Sequence, residues 1–360
     1  MATVLHLTGP ILVAPDEAVG EAWVIGGRIT FERPRGDHDI TTLAGHVIPG
    51  LVDAHCHVGL GPHGEVPREE AEQQAITDRD AGTLLIRDAG QPGDTRWVDE
   101  REDLPKIIRA GRHIARPRRY LRNYAWEVEP EELVERVRLE ARAGDGWVKL
   151  VGDWIDREVG DLAPSWPVDV LTEAIAAAHE EGARVTAHCF GEQSLHDFAA
   201  AGTDCIEHAT GLTTGSIAAF AEQQIAIVPT LVNIDTFPDI AAAAEGKFPD
   251  YGRHMLDLHL RRHTTIAAAR DAGIPIYVGT DAGGTLGHGL VVDEMHEFLA
   301  CGFSAAEALD AGSWGARAWL GRPGLEEGAD ADLLVLSADP RKDLSTLQEP
   351  VAIVLRGQTV

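Results

Sequence analysis

The chain has 360 residues, 44% hydrophobic and 25% charged, with a formal net charge of −27; nothing in so acidic a balance would neutralise phosphates, which argues against nucleic acid or an anionic membrane as a partner. No run of about 18 apolar residues is present, and the start Met1-Ala2-Thr3-Val4-Leu5-His6 lacks the basic and apolar regions of a signal peptide, so neither a membrane span nor secretion is expected. Cys56, Cys189, Cys205 and Cys301 form no Cys-x-x-Cys pair and suit reduced thiols in a cytoplasmic protein.

Residues 1–46 carry short apolar runs: Val4–Leu7, Ile11–Val13, Ala22–Ile25 and Arg28–Phe31, with Gly26-Gly27 as a hairpin turn. The other end looks alike, with Asp332–Leu336 and Val351–Leu355. Each end is too short for its own core, so residues 1–46 and 325–360 are expected to combine into one small β-sandwich domain, with residues 47–324 inserted between them.

The middle alternates strands and helices. Val47-Ile48-Pro49-Gly50-Leu51-Val52-Asp53-Ala54-His55-Cys56-His57 reads as a buried strand that delivers two histidines to one face, because strand side chains alternate. Thr83–Asp88 is the second strand, and a poorly defined third falls near residues 113–121. Pro130 opens a helix that Gly144 ends. Trp147–Val151 is the fourth strand. Leu171, Ala174, Ile175 and Ala178 make a helical stripe, stopped near Gly182. Arg184–His188, Thr203–His208, Ile225–Thr230 and Ile274–Asp281 complete eight strands, and residues 235–252, weakly patterned, read as a mobile flap. Regular strand–helix alternation implies a parallel sheet, and eight strands imply a (β/α)8 TIM barrel in an α/β protein.

The residues able to bind metal fall at one place in each unit. His55 and His57 end the first strand, Lys149 the fourth, His188 the fifth, His208 the sixth and Asp281 the eighth. In a (β/α)8 barrel those ends converge on one mouth, where active sites lie. A lone histidine at a strand end is more often structural; it is the repetition that points to a site. Lys149 in so apolar a strand is costly as a bare ammonium. Carboxylated by carbon dioxide, it becomes an anionic ligand with two oxygens, able to bridge two cations. Cys56 and Cys189, beside histidines, should face away as small buried residues.

These stretches resemble the amidohydrolase superfamily of metal-dependent hydrolases, over essentially the whole chain. Pro49–His57 looks like its first-strand signature; Val185–His188, Ile206–His208 and Gly279–Gly283 are similar to its later ligand strands; Gly324–Leu333 resembles the return to its β-sandwich domain. The chain looks most like the imidazolonepropionase-related group that contains Xaa-Pro dipeptidases, and Lys149 argues for the binuclear, dipeptidase-like branch. The resemblance implies that His55, His57, Lys149 and Asp281 hold one divalent metal and that Lys149, His188 and His208 hold the other, zinc suiting these donors best. It implies hydrolysis of an amide bond in a small molecule such as a dipeptide or N-acyl amino acid. A hydroxide bridging the two metals attacks the carbonyl, and Asp281 takes and returns the proton as general base and acid. Cyclic amides, imidazolones and carbamates are alternatives on the same site, and a non-catalytic scaffold would require missing ligands.

Three further groups bear on substrate. Arg116, Arg118, Arg119 and Arg122, beside Tyr120, Asn123 and Tyr124, form a basic island; Arg119 and Tyr124 are candidates for reading a substrate carboxylate, the alternative being a solvated face paired with Glu127 and Glu129. His288, in the Gly-rich loop after Asp281, is a candidate for substrate contact at the mouth. His254, His259 and His263 lie at helical spacing and read as a helix face. Gly59-Leu60-Gly61-Pro62-His63-Gly64 matches a dinucleotide-binding pattern only literally and reads as a loop over the site, and no Gly-x-Ser-x-Gly elbow is present. A homo-oligomer is compatible with all of this.

Overall fold

The computed structural model describes residues 3–360. Its parallel strands fall into two hydrogen-bonded groups. Lys106–Arg109, Thr83–Asp88 and Leu51–Cys56 make one; Trp126–Glu127, Ile114–Ala115, Trp147–Val151, Arg184–Cys189, Cys205–His208 and Ala226–Val228 make the other. The segment 274–282 links them. It bridges Ile227 at Ile276 and Cys56 at Ala282, and Ala54 N–H donates to its Val278 carbonyl. Helices follow the strands, among them Arg68–Asp80, Leu133–Ala143, Val168–Glu180, Glu192–Ala201, Thr214–Gln223 and Pro249–Asp271. This is an α/β arrangement consistent with a TIM-barrel-like domain.

Local chemistry explains most of these elements. In Val168–Glu180 the stripe Leu171, Ala174, Ile175 and Ala178 is buried, as its spacing predicts. Leu133–Ala143 buries Leu133, Val137 and Ala141 and stops at Gly144. Segment 274–282 has two bridges rather than a regular ladder. Pro275 has no N–H to donate, and at Gly279 a Cβ would lie 2.4 Å from Val228 and 2.6 Å from the His55 nitrogen. Only glycine lets this segment approach the histidine strand so closely.

Three expectations need correction. Residues 47–57 are not one strand: His46–Pro49 pairs with Leu333–Leu336 in the sheet of the chain ends, and Gly50 separates it from Leu51–Cys56, which pairs with Thr83–Asp88. The third strand starts earlier than residues 113–121: Lys106–Arg109 pairs with Thr83–Asp88, and after an interruption Ile114–Ala115 pairs with Leu150 and Trp126. Its apolar signal is only Ile107-Ile108 between two cations, and Gly111 with φ +71° interrupts it. Residues 235–252, read as a flap, contain the helix Phe237–Ala244 and the start of Pro249–Asp271. Phe237, Ala241, Tyr251 and Met255 are buried in one apolar cluster with Phe190.

The two chain ends share one eight-stranded sheet. Gln358–Thr359, Ala352–Leu355, Leu333–Leu336, His46–Pro49, Thr3–Ala14, Glu17–Ile25 and Arg28–Thr30 follow one another, and Asp39–Ala44 pairs parallel to Thr3–Ala14. Alternation sorts its side chains: Ile48, Leu334, Leu336 and Leu355 join the large core under the helices, while Val47, Leu333, Val335 and Val354 join a separate cluster with Leu5, Leu7 and Ile11. No helix among the described residues is long and apolar enough to cross a membrane.

Ending the chain after Leu325 would strip His46–Pro49 of its Leu333–Leu336 partner and bare the apolar faces of that sheet. The truncated protein is expected to aggregate. Size-exclusion chromatography checks this, and a monodisperse product melting like the full chain would show that the sheet stands without its C-terminal strands.

Candidate metal centre

Leu51–Cys56 is buried throughout, and it carries His55 to the interior with His57 just beyond it. The two Nε2 atoms lie 3.2 Å apart. Each ring is tied down by its other nitrogen: His57 Nδ1 is 2.7 Å from the Gly90 carbonyl, and His55 Nδ1 is 2.8 Å from Glu207 Oε2. The Gly90 carbonyl accepts the Nδ1 proton of His57, which turns that ring's Nε2 lone pair inward, while His55 stands between Glu207 and Asp281, whose charges raise its pKa although burial pulls it down. Asp281 Oδ1 lies 3.0 Å from His55 Nε2 and 2.9 Å from His57 Nε2, while Oδ2 accepts from Asn233 Nδ2 at 2.8 Å.

His188 and His208 approach from neighbouring strands, with His188 Nδ1 2.9 Å from His208 Nε2. His208 Nδ1 is held 2.7 Å from the Thr230 hydroxyl. Ligand atoms of His55, His208 and Asp281 all lie within 4.8 Å of one another. Lys149 is 1% exposed and stands mid-strand opposite Thr186 rather than at its strand's end, two residues below the Val151–His188 pair. Burial pushes its ammonium below the usual lysine range, against the pull of Glu207 and Asp281.

The backbone is strained where it delivers these groups. His208, Ala209, Thr230 and Asp281 adopt left-handed φ values of +68°, +52°, +49° and +61°. For non-glycine residues such conformations cost on the order of 1–3 kcal/mol each. The turn at His208 breaks strand alternation, so the adjacent Glu207 and His208 both serve the interior. Burial holds His208 and His57 below the ordinary histidine range and His188 at about 3. Burial alone would raise Asp281, but the charge of His55, hydrogen bonds from His55 and His57 and the charge of His208 together outweigh it, and the carboxylate stays well below its usual range.

Several supporting residues escaped the sequence reading. Glu207 is fully buried between His55, the Thr186 hydroxyl and Arg87, whose Nη2 lies 2.6 Å away. Arg87 stacks on Trp147 and Trp319 at 4.6 and 5.0 Å and donates to the Ala54 carbonyl at 2.6 Å. Glu294 accepts from the N–H groups of Leu231 and Val232, both at 2.8 Å, and so fixes the turn that carries Thr230 and Asn233. His113 is 1% exposed, 5.4 Å ring-to-ring from His57, and neither of its nitrogens has a protein partner. With the third strand placed at 113–121 it stood at a strand's beginning; with Lys106–Ala115 it stands near the end, like the other histidines.

The candidate substrate residues lie around this cluster, outside it. Arg119 donates to the carbonyls of Trp154 (3.1 Å), Ala163 (2.6 Å) and Pro164 (3.1 Å) and pairs with Asp156. Tyr124 donates its hydroxyl to the Gly61 carbonyl at 2.8 Å, and its ring lies 6.3 Å from His113. His288 sits on the reverse face of the histidine strand, with Nδ1 2.8 Å from Asp78 Oδ2 and 3.7 Å from Cys56 Sγ. Cys56 thus faces away from His55 and His57, and Cys189 packs outward toward Gly152 and Phe198. His254, His259 and His263 lie on Pro249–Asp271 and pair with Asp161, Asp235 and Glu297. Leu60–Gly61 and Gly64–Glu65 form a small hairpin, and Gly284 N–H donates to the Leu60 carbonyl at 3.1 Å.

The model of the amidohydrolase family matches residues 46–360, and the chain belongs to that family of metal-dependent hydrolases. An uncharacterized protein of Mycobacterium tuberculosis is 54% identical over 356 residues, covering 99% of this chain and 95% of that one. A putative prolidase from Bifidobacterium longum superposes with a TM-score of 0.82 at 25% identity, covering 99% and 94% of the two chains. A Xaa-Pro dipeptidase with methionine bound in its active site superposes at 0.81 with 21% identity, covering 100% of both.

If Glu207 orients His55, Glu207→Gln should weaken metal binding by about 10–100-fold. Competition with a graded chelator measures this. Affinity unchanged from the parent would mean that Glu207 only compensates Arg87.

Proposed function

We propose that this chain is a binuclear metal-dependent hydrolase that cleaves the amide bond of a small substrate such as a dipeptide or an N-acyl amino acid. The observation that carries it is the convergence of four imidazoles and one carboxylate: atoms of His55, His57 and Asp281 lie 2.9–3.2 Å apart, His188 and His208 meet at 2.9 Å, and atoms of His55, His208 and Asp281 all lie within 4.8 Å of one another. In this reading His55, His57, Lys149 and Asp281 hold one cation and Lys149, His188 and His208 the other. A pair of divalent cations, zinc suiting the donors best, would supply Lewis acidity and lower the pKa of a water.

The chain's own groups do the rest. Lys149, desolvated and so biased toward the neutral amine, has the free lone pair that attack on carbon dioxide requires. The new N–C bond and loss of a proton make it a carbamate with two donor oxygens. Asp281 stays ionised and is oriented by Asn233, so it takes the proton of the attacking water and returns it to the leaving nitrogen. The prolidase and dipeptidase likenesses support a substrate built from amino acids.

The same reading gives residues 47–324 a (β/α)8 barrel that closes through segment 274–282 and residues 1–46 with 325–360 a β-sandwich domain, the boundary moving past Pro49 because Val47–Pro49 pairs in the sheet of the chain ends. Four buried, unpaired cysteines support a cytoplasmic location, and the charge of −27 weighs against nucleic acid and anionic membranes.

Purified protein is expected to carry two metal ions per chain, and Lys149→Ala to lose most activity, with partial recovery by short carboxylic acids. Asp281→Asn should cut turnover by about 10²–10⁴-fold while retaining metal better than His55→Ala. Metal content and turnover on dipeptides and N-acyl amino acids are read on the same sample. Near-parental turnover of a metal-loaded Asp281→Asn protein would move proton transfer to another residue, and a protein that binds no metal would overturn the reading.

A further inference from the structure

The loop after the third strand carries Tyr120, and the hairpin Asp153–Asp156/Asp161–Pro164 carries Trp154. Both are half-buried, and their rings meet edge to face at 5.0 Å and 71°. Each lies 5.6 Å from the ring of His188, and Tyr120 is also 5.2 Å from His113. Behind them Phe190 packs on His188 at 4.3 Å and on the fully buried Phe237 at 4.8 Å. The metal-binding donors are therefore flanked on the His188 side by aromatic surface, part of it open and part of it core.

The basic island serves to hold this surface. Arg119, next to Tyr120, donates to the Trp154 carbonyl itself and to those of Ala163 and Pro164. Arg116 donates to the Ser165 carbonyl and pairs with Glu129. Arg112 donates to the carbonyls of Asn123 and Tyr124. Arg118 is exposed and Arg122 is exposed. The guanidinium groups that reach inward from the island are thus spent on carbonyls, joining loop to hairpin, and what faces His188 is π surface.

We infer that Tyr120 and Trp154 form a wall, clamped by Arg119, that selects substrates carrying a flat aromatic group beside the scissile amide. The inference rests on the hydrolase reading and adds the substrate class. Aromatic rings favour offset or edge-to-face partners at centroid distances of about 4.5–7 Å. The 5.0 Å pair offers such surfaces to an incoming ring, whereas a methyl group would leave them wet. Arg119 is on this view a positioning residue for the wall.

The test uses the metal-loaded full chain and two matched series: N-acetyl-, N-benzoyl- and N-naphthoyl-alanine, and the N-acetyl derivatives of alanine, phenylalanine and naphthylalanine. In at least one series kcat/KM should rise about tenfold or more from the methyl to the aryl compound. Trp154→Ala should reduce that ratio below about threefold, through KM more than kcat, and Trp154→Phe should keep it; Tyr120→Leu replaces Trp154→Ala if that variant does not fold. Binding of the same compounds, read by calorimetry, is the second measurement. Hydrolysis of both series with aryl and methyl compounds within threefold, or a ratio unchanged in Trp154→Ala, overturns the wall and leaves the hydrolase reading standing. Aryl-selective binding without hydrolysis supports the wall and sinks that reading. Neither binding nor turnover overturns both.

Discussion

One buried carboxylate holds the centre together. Glu207 has no contact with water, so its charge must be met within the fold, and it is met by Arg87 at 2.6 Å and by His55 at 2.8 Å. Those partners come from the second strand and the first, and Glu207 itself from the sixth. The triad is thus a cross-brace through the interior as well as a charge balance. It sets the ring plane of His55, and with it the position that Asp281 and His57 share. Arg87 can be so deep because Trp147 and Trp319 cover its faces and the Ala54 carbonyl takes its Nε proton. Removing one member would leave an uncompensated charge, which is why this network constrains more of the structure than any single histidine of the centre.

A second brace works from outside. Glu294 holds the first N–H groups of the short turn Leu231–Ile234, and that turn presents Thr230 to His208 and Asn233 to Asp281. Two buried carboxylates therefore position the donors through intermediaries, one from within and one from the helix Val291–Ala300. The left-handed backbone at His208, Thr230 and Asp281 persists because these bonds over-determine it. Strain at three adjoining strand ends belongs with a site whose atoms are set in advance of what they bind.

How much of this was legible in the sequence depends on how far each signal is local. His55 and His57 could be read because strand alternation puts i and i+2 on one face, and His188 and Asp281 because each follows an apolar run. Lys149 stood out because an ammonium is foreign to Trp147-Val148-Leu150. Glu207 was hidden by the same rule that revealed the histidines: alternation assigns it the face opposite His208, and only the positive φ at His208 brings both inside. Arg87 and Glu294 read as ordinary charged residues, because their partners lie about 120 and 63 positions away. His113 was lost with the register of a strand whose only apolar signal is two isoleucines. Arg119 was legible as a charge near the mouth; that its donors are taken up by Trp154, Ala163 and Pro164 is a property of the hairpin's fold.

The protonation pattern bears on what this centre could hold. Two imidazole nitrogens whose rings are each pinned by Nδ1 face one another at 3.2 Å, and a carboxylate oxygen stands 2.9–3.0 Å from both. Lone pairs turned toward each other repel unless a positive charge lies between them. A proton on His55, whose pKa Glu207 and Asp281 raise against burial, relieves that contact, while burial holds His57, His188 and His208 below the ordinary histidine range. Desolvation likewise pushes Lys149 toward its neutral form. His57, His188, His208 and Lys149 are thereby biased toward the state that donates an electron pair, while Asp281 keeps its negative charge and, with Glu207, raises the pKa of His55 against the pull of burial. Such an arrangement could hold a divalent ion, as the metal dependence of the amidohydrolase family leads one to expect, and burial, normally the enemy of polar groups, favours the donor forms that this needs.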